Sequence, residues 1–459
     1  MLFRIGKYYI ISAVLMFCMG ASALAQETLT LQKSIDYALA NSLSVKSASE
    51  KMKVAEQKVK EARGAMMPSI SGSGSYTYYG KLPEMEFDFS SMLSGMTGTK
   101  GAPPTGIGGS MQIPIGKEDT YLAGINIQQA VFTWGKIYNN YRQTKLSLEA
   151  AGQEFESIKQ QVIFDTTKAF YDVLLTDKLV KVMEMALNQV QAHTKTAQDL
   201  VDAGMATNFD LLRAKVQLAN TRSQLIKIQN ALKLAKDSFK NTIGMSLDAQ
   251  INLEGDFAYK PLELELDRLL ESAMANRPEV KQLQLQEQVG KRIVSLAKAG
   301  NKPSIAAVYS YSYQSNADVL KDVFKRDNWR NSWSVTLALS VPVFDGLATR
   351  ARVNQAKSGL RQIQIGKEQL MKGIGLEVHA AFLSFQESKE LLTVQEETVQ
   401  QAQESLRIAN LRYKNGMITS IELMDAELAF TQAQTNYSNA LHDYVIAIAR
   451  LEKATASKL

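Results

Sequence analysis

The chain has 459 residues, with 52 Lys and Arg against 46 Asp and Glu, 45% apolar residues and one cysteine. A charge this close to balance argues neither for nor against nucleic acid; the export signal at the N-terminus is what makes nucleic acid an unexpected partner. The lone Cys18 supports no disulfide framework and no thiolate metal site.

Residues 1–25 read as an export signal. Arg4 and Lys7 precede an apolar run from Tyr8 to Met19, and Ala23-Leu24-Ala25 forms a small-x-small cleavage site before Gln26. Phe17 is too bulky for lipoprotein processing at Cys18, so no lipid anchor is expected. Cleavage removes Cys18 and leaves 50 basic against 46 acidic residues, a balance of +4. No later stretch reaches the roughly 18 apolar residues of a spanning helix.

A first helix is expected from near Thr30 to just before Pro68. From Ser69 the chain alternates: Ser69, Ser71, Ser73, Ser75 and Thr77 lie on one face, Ile70, Gly72, Gly74, Tyr76 and Tyr78 on the other. Residues 79–120 form a loop holding Met85, Met92, Met96 and Met111. Methionine clusters can bind Cu(I), but this spacing fixes no geometry and an exposed loop is the plainer reading. Tyr121, Ala123, Ile125 and Ile127 then face away from Asn126 and Gln128 in a return strand. No proline interrupts Gly135 to Gly204, a run on the order of 100 Å of helix. After a turn at Gly204-Met205, Thr207 starts a helix whose seam runs Leu211, Ala214, Leu218, Leu225, Ile228, Leu232, Ala235 and Phe239.

Residues 245–262 join two halves, 26–244 and 263–459, that share one plan. Ala38-Leu39-Ala40-Asn41 recurs as Ala273-Met274-Ala275-Asn276, and Pro68-Ser69-Ile70 as Pro303-Ser304-Ile305, both 235 positions on. Gly204-Met205 recurs as Gly416-Met417 and Thr207 as Thr419, 212 positions on. The 23-residue difference falls in the loops, since 79–120 is matched by the shorter 314–332. A repeat this long describes a wall or channel more readily than an active site.

In the second half Ile305, Ala307, Tyr309, Tyr311 and Tyr313 share a face opposite Ser310, Ser312 and Gln314. Trp333, Val335, Leu337, Leu339 and Val341 oppose Ser334, Thr336, Ala338 and Ser340. Alternation with aromatic ends fits a membrane β-barrel wall, and also a half-buried sheet of a soluble domain. Four strands cannot close a barrel, so a membrane reading forces several protomers to share one. The long helix from Gly346 to Gly416 carries Ile374, Val378, Ala381, Phe385, Leu392, Val399, Ala402, Leu406, Ala409 and Tyr413 at steps of three and four. Its partner carries Leu423, Ala426, Phe430, Ala433, Tyr437, Ala440, Tyr444, Ala447 and Leu451. Alternating large and small residues predict close antiparallel packing.

Gly204 and Gly416 suit left-handed helix ends. Thr419 with Glu422 forms a capping box, and Thr207 with Asp210 a looser one. Asp425 lies one turn beyond Glu422 on the same face. In a ring of protomers these two carboxylates would make stacked acidic rings that filter cations; the alternative is a cap and a carboxylate favoured by the helix dipole. Only the second half has this pair, since the first has Asp210 and Arg213.

Four stretches together resemble the TolC-like outer membrane efflux proteins: Leu31 to Asn41, Asn276-Arg277-Pro278-Glu279-Val280, Val341-Pro342-Val343-Phe344-Asp345-Gly346, and Leu411-Arg412-Tyr413 followed by Gly416, Thr419, Glu422, Leu423, Asp425 and Ala426. The resemblance covers essentially all of the chain after residue 25. It implies a mixed fold of membrane β-barrel and long α-helical barrel, two structural repeats per protomer, closed as a homotrimer of twelve strands. It implies an outer membrane location with a tunnel into the periplasm, a periplasmic adaptor docked on the tips and an inner-membrane pump. By position, Glu422 and Asp425 match the family's entrance constriction, and Tyr413 and Asp210 match residues that hold it closed. Ile418 departs from the latching arginine of the best-known member.

The expected function is a passive exit duct of a tripartite efflux or secretion system, with Gly204, Met205, Thr207, Gly416, Met417 and Thr419 as the adaptor contact. A type I protein secretion duct is an alternative, as is a periplasmic coiled-coil scaffold without a pore. No catalytic site, cofactor or metal site is expected. His193, His379 and His442 are scattered, no nucleophile elbow or phosphate loop occurs, and each histidine reads as a helix-surface or packing residue.

Overall fold

The computed structural model describes residues 27–82, 84–88, 110–114, 117–257, 261–317, 320–322 and 325–458. The export signal with Cys18, and Met92 and Met96, lie outside the described residues. The chain divides into two compact units, each drawing on both halves of the sequence. A helical unit comprises Met1–Ala55, Ser147–Glu287 and Gln362–Leu459, and a sheet unit comprises Glu56–Leu146 and Gln288–Arg361.

The elements follow in chain order as β1 (Glu27–Leu29), α1 (Leu31–Asn41), α2 (Leu43–Gly64), β2 (Ser69–Tyr78), β3 (Glu84–Asp88), β4 (Ser110–Pro114), β5 (Asp119–Phe132), α3 (Lys136–Asp202) and α4 (Asn208–Ile243). The second series is β6 (Ile251–Leu253), α5 (Leu266–Asn276), α6 (Pro278–Lys298), β7 (Ser304–Ala317), β8 (Trp329–Ser340), α7 (Ala348–Lys414) and α8 (Ser420–Thr455). Both α3 and α7 have 67 residues, and both α4 and α8 have 36.

The first helix expected in each half is in fact two. The first helix starts at Thr30 as anticipated, with Thr30 as its cap, but the chain turns extended at Ser42 with ψ 131°. At Arg277 the ψ of 127° has a plain cause: the ring of Pro278 crowds the residue before it out of the helical region. The Arg277 side chain is buried, and its guanidinium donates to the carboxylates of Glu279 and Glu377, while Ser157 donates to Glu279 at 2.8 Å.

In the sheet unit the strand order is β2-β5-β7-β8, all antiparallel. Register carries one apolar face across all four strands: Ile70 opposes Ile127, which opposes Tyr309, which opposes Val335. On β8 that face is open among the described residues, with Trp333, Val335, Leu337 and Leu339 65–70% exposed. The other face is polar and cross-linked, with Ser310 donating to Asn126 at 3.0 Å and Ser312 paired with Ser332 at 2.7 Å. The outer edges of β2 and β8 have no strand partner among the described residues. Residues 79–120 are not loop throughout, because β3 and β4 form a separate antiparallel hairpin within them.

Both strand-to-helix junctions use two consecutive left-handed residues, Trp134-Gly135 and Gly346-Leu347. Glycine takes the second place in one and the first in the other, so a bulky residue is strained at each. The helix that follows is capped alike: the Ile137 amide reaches Thr133 Oγ1 at 3.5 Å, and the Thr349 amide reaches Asp345 Oδ2 at 2.8 Å.

In the helical unit two apolar clusters form around corresponding helices of the two halves. Leu29, Ala38, Val45, Phe170, Val173, Phe239, Ile243 and Ile251 join β1, α1, α2, α3, α4 and β6. Leu269, Ala273, Val280, Val378, Phe385, Tyr444 and Leu451 join α5, α6, α7 and α8. The seam of α7 and α8 follows the predicted positions, from Ile374 to Tyr413 and from Leu423 to Leu451. Along α4 only Leu211, Ala214 and Phe239 of the predicted seam are fully buried. The connector is pinned by β6, which pairs in parallel with β1. Among the described residues no helix is long and apolar enough to cross a membrane.

Both hairpins end as expected. Gly204 has φ 69° and Gly416 φ 68°, and Met205 and Met417 donate back to the carbonyls of Leu200 and Arg412, a Schellman-type closure. Thr419 and Glu422 form a complete capping box with the Thr419 amide 2.7 Å from Glu422 Oε2. Thr207 and Asp210 form the same box with the longer 3.3 Å.

Replacing Leu347 with Gly relieves a left-handed position at little packing cost, since the side chain is 60% exposed. It should raise stability by about 1 kcal/mol in urea unfolding of the detergent-solubilised protein. Thr419→Ala removes the cap of α8 and should cost about 1 kcal/mol by the same measurement, with faster amide exchange confined to the first turn of α8.

Candidate functional site: the hairpin tips

The tips combine soft apolar ends with fixed carboxylates. Met205 is 70% exposed and Met417 72% exposed, each presented by the glycine turn before it. Thr207 and Thr419 are exposed beside them and committed to their caps. Glu422 is exposed, but its carboxylate turns back to accept from the Thr419 amide and hydroxyl at 2.7 and 2.8 Å. The backbone N–H of Thr419, then its hydroxyl and the charge of Arg412, hold this carboxyl below the usual glutamate range. Asp425 is exposed one turn on, and makes no hydrogen bond or ion pair among the described residues. The acidic pair therefore consists of one oriented carboxylate and one free one.

Asp210 accepts from the Thr207 hydroxyl at 2.6 Å. On the next turn Arg213 lies over the Phe209 ring at 5.6 Å. Tyr413 is only 5% exposed, and its phenol oxygen has no hydrogen-bond partner among the described residues. Burial raises the Tyr413 pKa; nearby Ser420 opposes this, while the charges of Asp210 and Glu427 add to it. No hydrogen bond joins Tyr413 to Asp210, whose carboxylate is occupied by Thr207.

Tyr413 instead meets His193, edge to face, with ring centroids 5.1 Å apart. His193 is buried on α3. Its Nε2 lies 3.2 Å from Ser420 Oγ, and its Nδ1 stands 3.4 Å from Glu427 Oε2 at ion-pair distance without hydrogen-bond alignment. Leu406, Leu423, Phe430 and Leu200 close around the group. The expectation that each histidine only packs or faces solvent therefore misses polar partners. His379 is exposed, but His442 is held between Asp172 at 2.8 Å and Asp443 at 3.1 Å. Burial works against a proton on His442, yet the two carboxylates outweigh it and raise its pKa.

A signal for these residues was present in the periodicity. Val190, His193 and Ala197 share a buried stripe on α3, and Glu427 falls between Leu423 and Phe430 on the seam. A titratable residue at a seam position requires a partner when buried. Among the described residues no group of three His, Cys, Asp or Glu is close enough to hold a metal ion.

The sequence profile described as outer membrane efflux protein matches residues 34–245 and 269–457. The chain is 20% identical over 343 residues to the outer membrane protein TolC of Vibrio cholerae serotype O1, covering 74% of this chain and 77% of that one. It is 21% identical over 338 residues to the alkaline protease secretion protein AprF of Pseudomonas aeruginosa, covering 72% and 69%. The crystal structure of the outer membrane protein VceC from Vibrio cholerae superposes with a TM-score of 0.73 at 19% identity, covering 93% and 96%. With the open sheet, the paired long hairpins and a profile match across nearly all of the described chain, this protein belongs to the outer membrane efflux protein family, the TolC-like channels of the outer membrane.

Proposed function

We propose that three copies of this chain form one passive exit duct of a tripartite system. The observation that carries this reading is the four-stranded sheet with an exposed apolar face and two edges that have no strand partner among the described residues. An open edge in lipid leaves backbone groups unsatisfied at several kcal/mol each, so the sheet must be completed by other copies. Twelve strands from a homotrimer close one barrel, with the apolar face toward lipid and the Ser and Asn face toward water. The matched lengths of α3 and α7, and of α4 and α8, support two structural repeats feeding one helical tunnel in the periplasm. The chain carries no reaction of its own and takes its energy from an inner-membrane pump.

The tips form the entrance. Glu422 and Asp425 make the acidic constriction, Tyr413 and Asp210 belong to its closed arrangement, and Gly204, Met205, Thr207, Gly416, Met417 and Thr419 meet a periplasmic adaptor. Exposed thioethers suit that contact because they pack against irregular apolar surfaces. The likeness to AprF, a secretion protein, favours protein export as a second reading of the same duct. The exposed apolar row on β8 speaks against a scaffold without a pore.

In planar bilayers, Glu422→Gln combined with Asp425→Asn should weaken block by divalent cations and widen the spread of conductance states. Unchanged recordings would remove both carboxylates from the gate. Met205→Asp with Met417→Asp should abolish adaptor capture and export while leaving the channel in the outer membrane. Full capture by this variant would place the contact elsewhere.

A further inference from the structure

We propose that His193 is a positioning residue of the entrance, whose proton pins α3 to the α7–α8 hairpin and whose loss frees that hairpin. This rests on the reading that the tips are the channel entrance.

The site is built from three elements. His193 comes from α3, Tyr413 from the end of α7, and Ser420 and Glu427 from the start of α8. The His193 side chain is 1% exposed and that of Glu427 6%. The groups facing the imidazole are thus the Glu427 carboxylate and Ser420 hydroxyl of α8 and the Tyr413 ring of α7. Asp210 of α4 adds its charge to the Tyr413 side of the cluster.

With the imidazole protonated, both ring nitrogens carry donors. One faces Ser420 Oγ, and the other faces Glu427 Oε2 at 3.4 Å. The charge also neutralises a carboxylate that the seam otherwise shields from water. Removing the proton leaves Glu427 buried without the cation beside it, which is the costly state of a buried ion pair. The helices can relieve that cost by letting water reach Glu427, and water enters only if α8 parts from α3. Neutral histidine therefore loosens the hairpin that carries Glu422 and Asp425. The sign is set: mild acid holds the entrance shut, and rising pH releases it.

His442 ties the same two helices together farther from the tip, through Asp172. Its raised pKa gives a contribution that is complete below the ordinary histidine value of 6.5 and lost as pH climbs through the higher folded value. The test is therefore run in both the natural chain and a His442→Asn background.

Hydrogen exchange of the full-length channel in detergent, read by mass spectrometry, compares wild type, His193→Gln and Glu427→Gln at matched pH. Glutamine keeps a donor for Ser420 and cannot be charged. At about pH 5.5 the segments around residues 193 and 420 should exchange about tenfold faster in His193→Gln than in wild type, and at about pH 8 these two should agree within about twofold. Glu427→Gln leaves no carboxylate for water to reach, so its exchange, corrected for the intrinsic rate, should stay within about twofold between the two pH values. The same ratio at both pH values would make His193 a packing residue and overturn the proposal. A pH-dependent ratio with bilayer conductance of the wild type flat across that range would leave the pin standing. It would instead refute these tips as the entrance.

Discussion

Two rows of backbone groups with no strand partner among the described residues, on the outer edges of β2 and β8, constrain everything else in this chain. In water such edges are an aggregation hazard, and in a bilayer they are untenable. Along β8 little blunts the edge beyond Arg330, because the strand is long, holds no proline and keeps a continuous apolar face. Such a strand is tolerable only when another strand lies beside it. The requirement passes down the chain through the junctions at Trp134-Gly135 and Gly346-Leu347. There the backbone takes a conformation that a tryptophan and a leucine disfavour, and it does so at corresponding places.

The helical unit obeys a different rule. Its stability comes from apolar burial, with Phe385 against Tyr444 and Phe170 against Phe239 at the centres of two similar clusters. Burial of that kind is undirected, so it fixes how closely helices pack better than it fixes their rotation. Rotation is set by the few polar groups placed in the seams: His193 with Glu427, His442 with Asp172, Arg277 with Glu279 and Glu377. Each joins a helix of one half of the sequence to a helix of the other, or a short helix to a long one.

Much of this was legible in the residues, because period two and steps of three and four report directly on which face is buried. The sheet faces, the α7–α8 seam and both tip turns follow from those periods and from glycine and threonine chemistry. The pairing of β1 with β6 was not legible, since three-residue strands have no period to read and their partners are over 200 residues apart. The hairpin of β3 and β4 was hidden in a stretch read by composition as loop. The break at Ser42 has no proline to announce it, unlike the one at Arg277. His193 and Glu427 were readable as buried, but neither residue reveals the other, because their contact joins two helices from different halves of the sequence.

The tip methionines carry a further consequence, in oxidation chemistry. Met205 and Met417 project from matching turns with most of their surface in solvent, and the chain after Gln26 has no thiol to intercept an oxidant first. Conversion of a thioether to its sulfoxide replaces a soft apolar end with a strong dipole. Both turns would change character together while the capping boxes behind them stayed intact. An oxidised channel would then remain folded and seated in its membrane, yet present a polar crown where an apolar one had been, and a reductase acting on methionine sulfoxide would restore it.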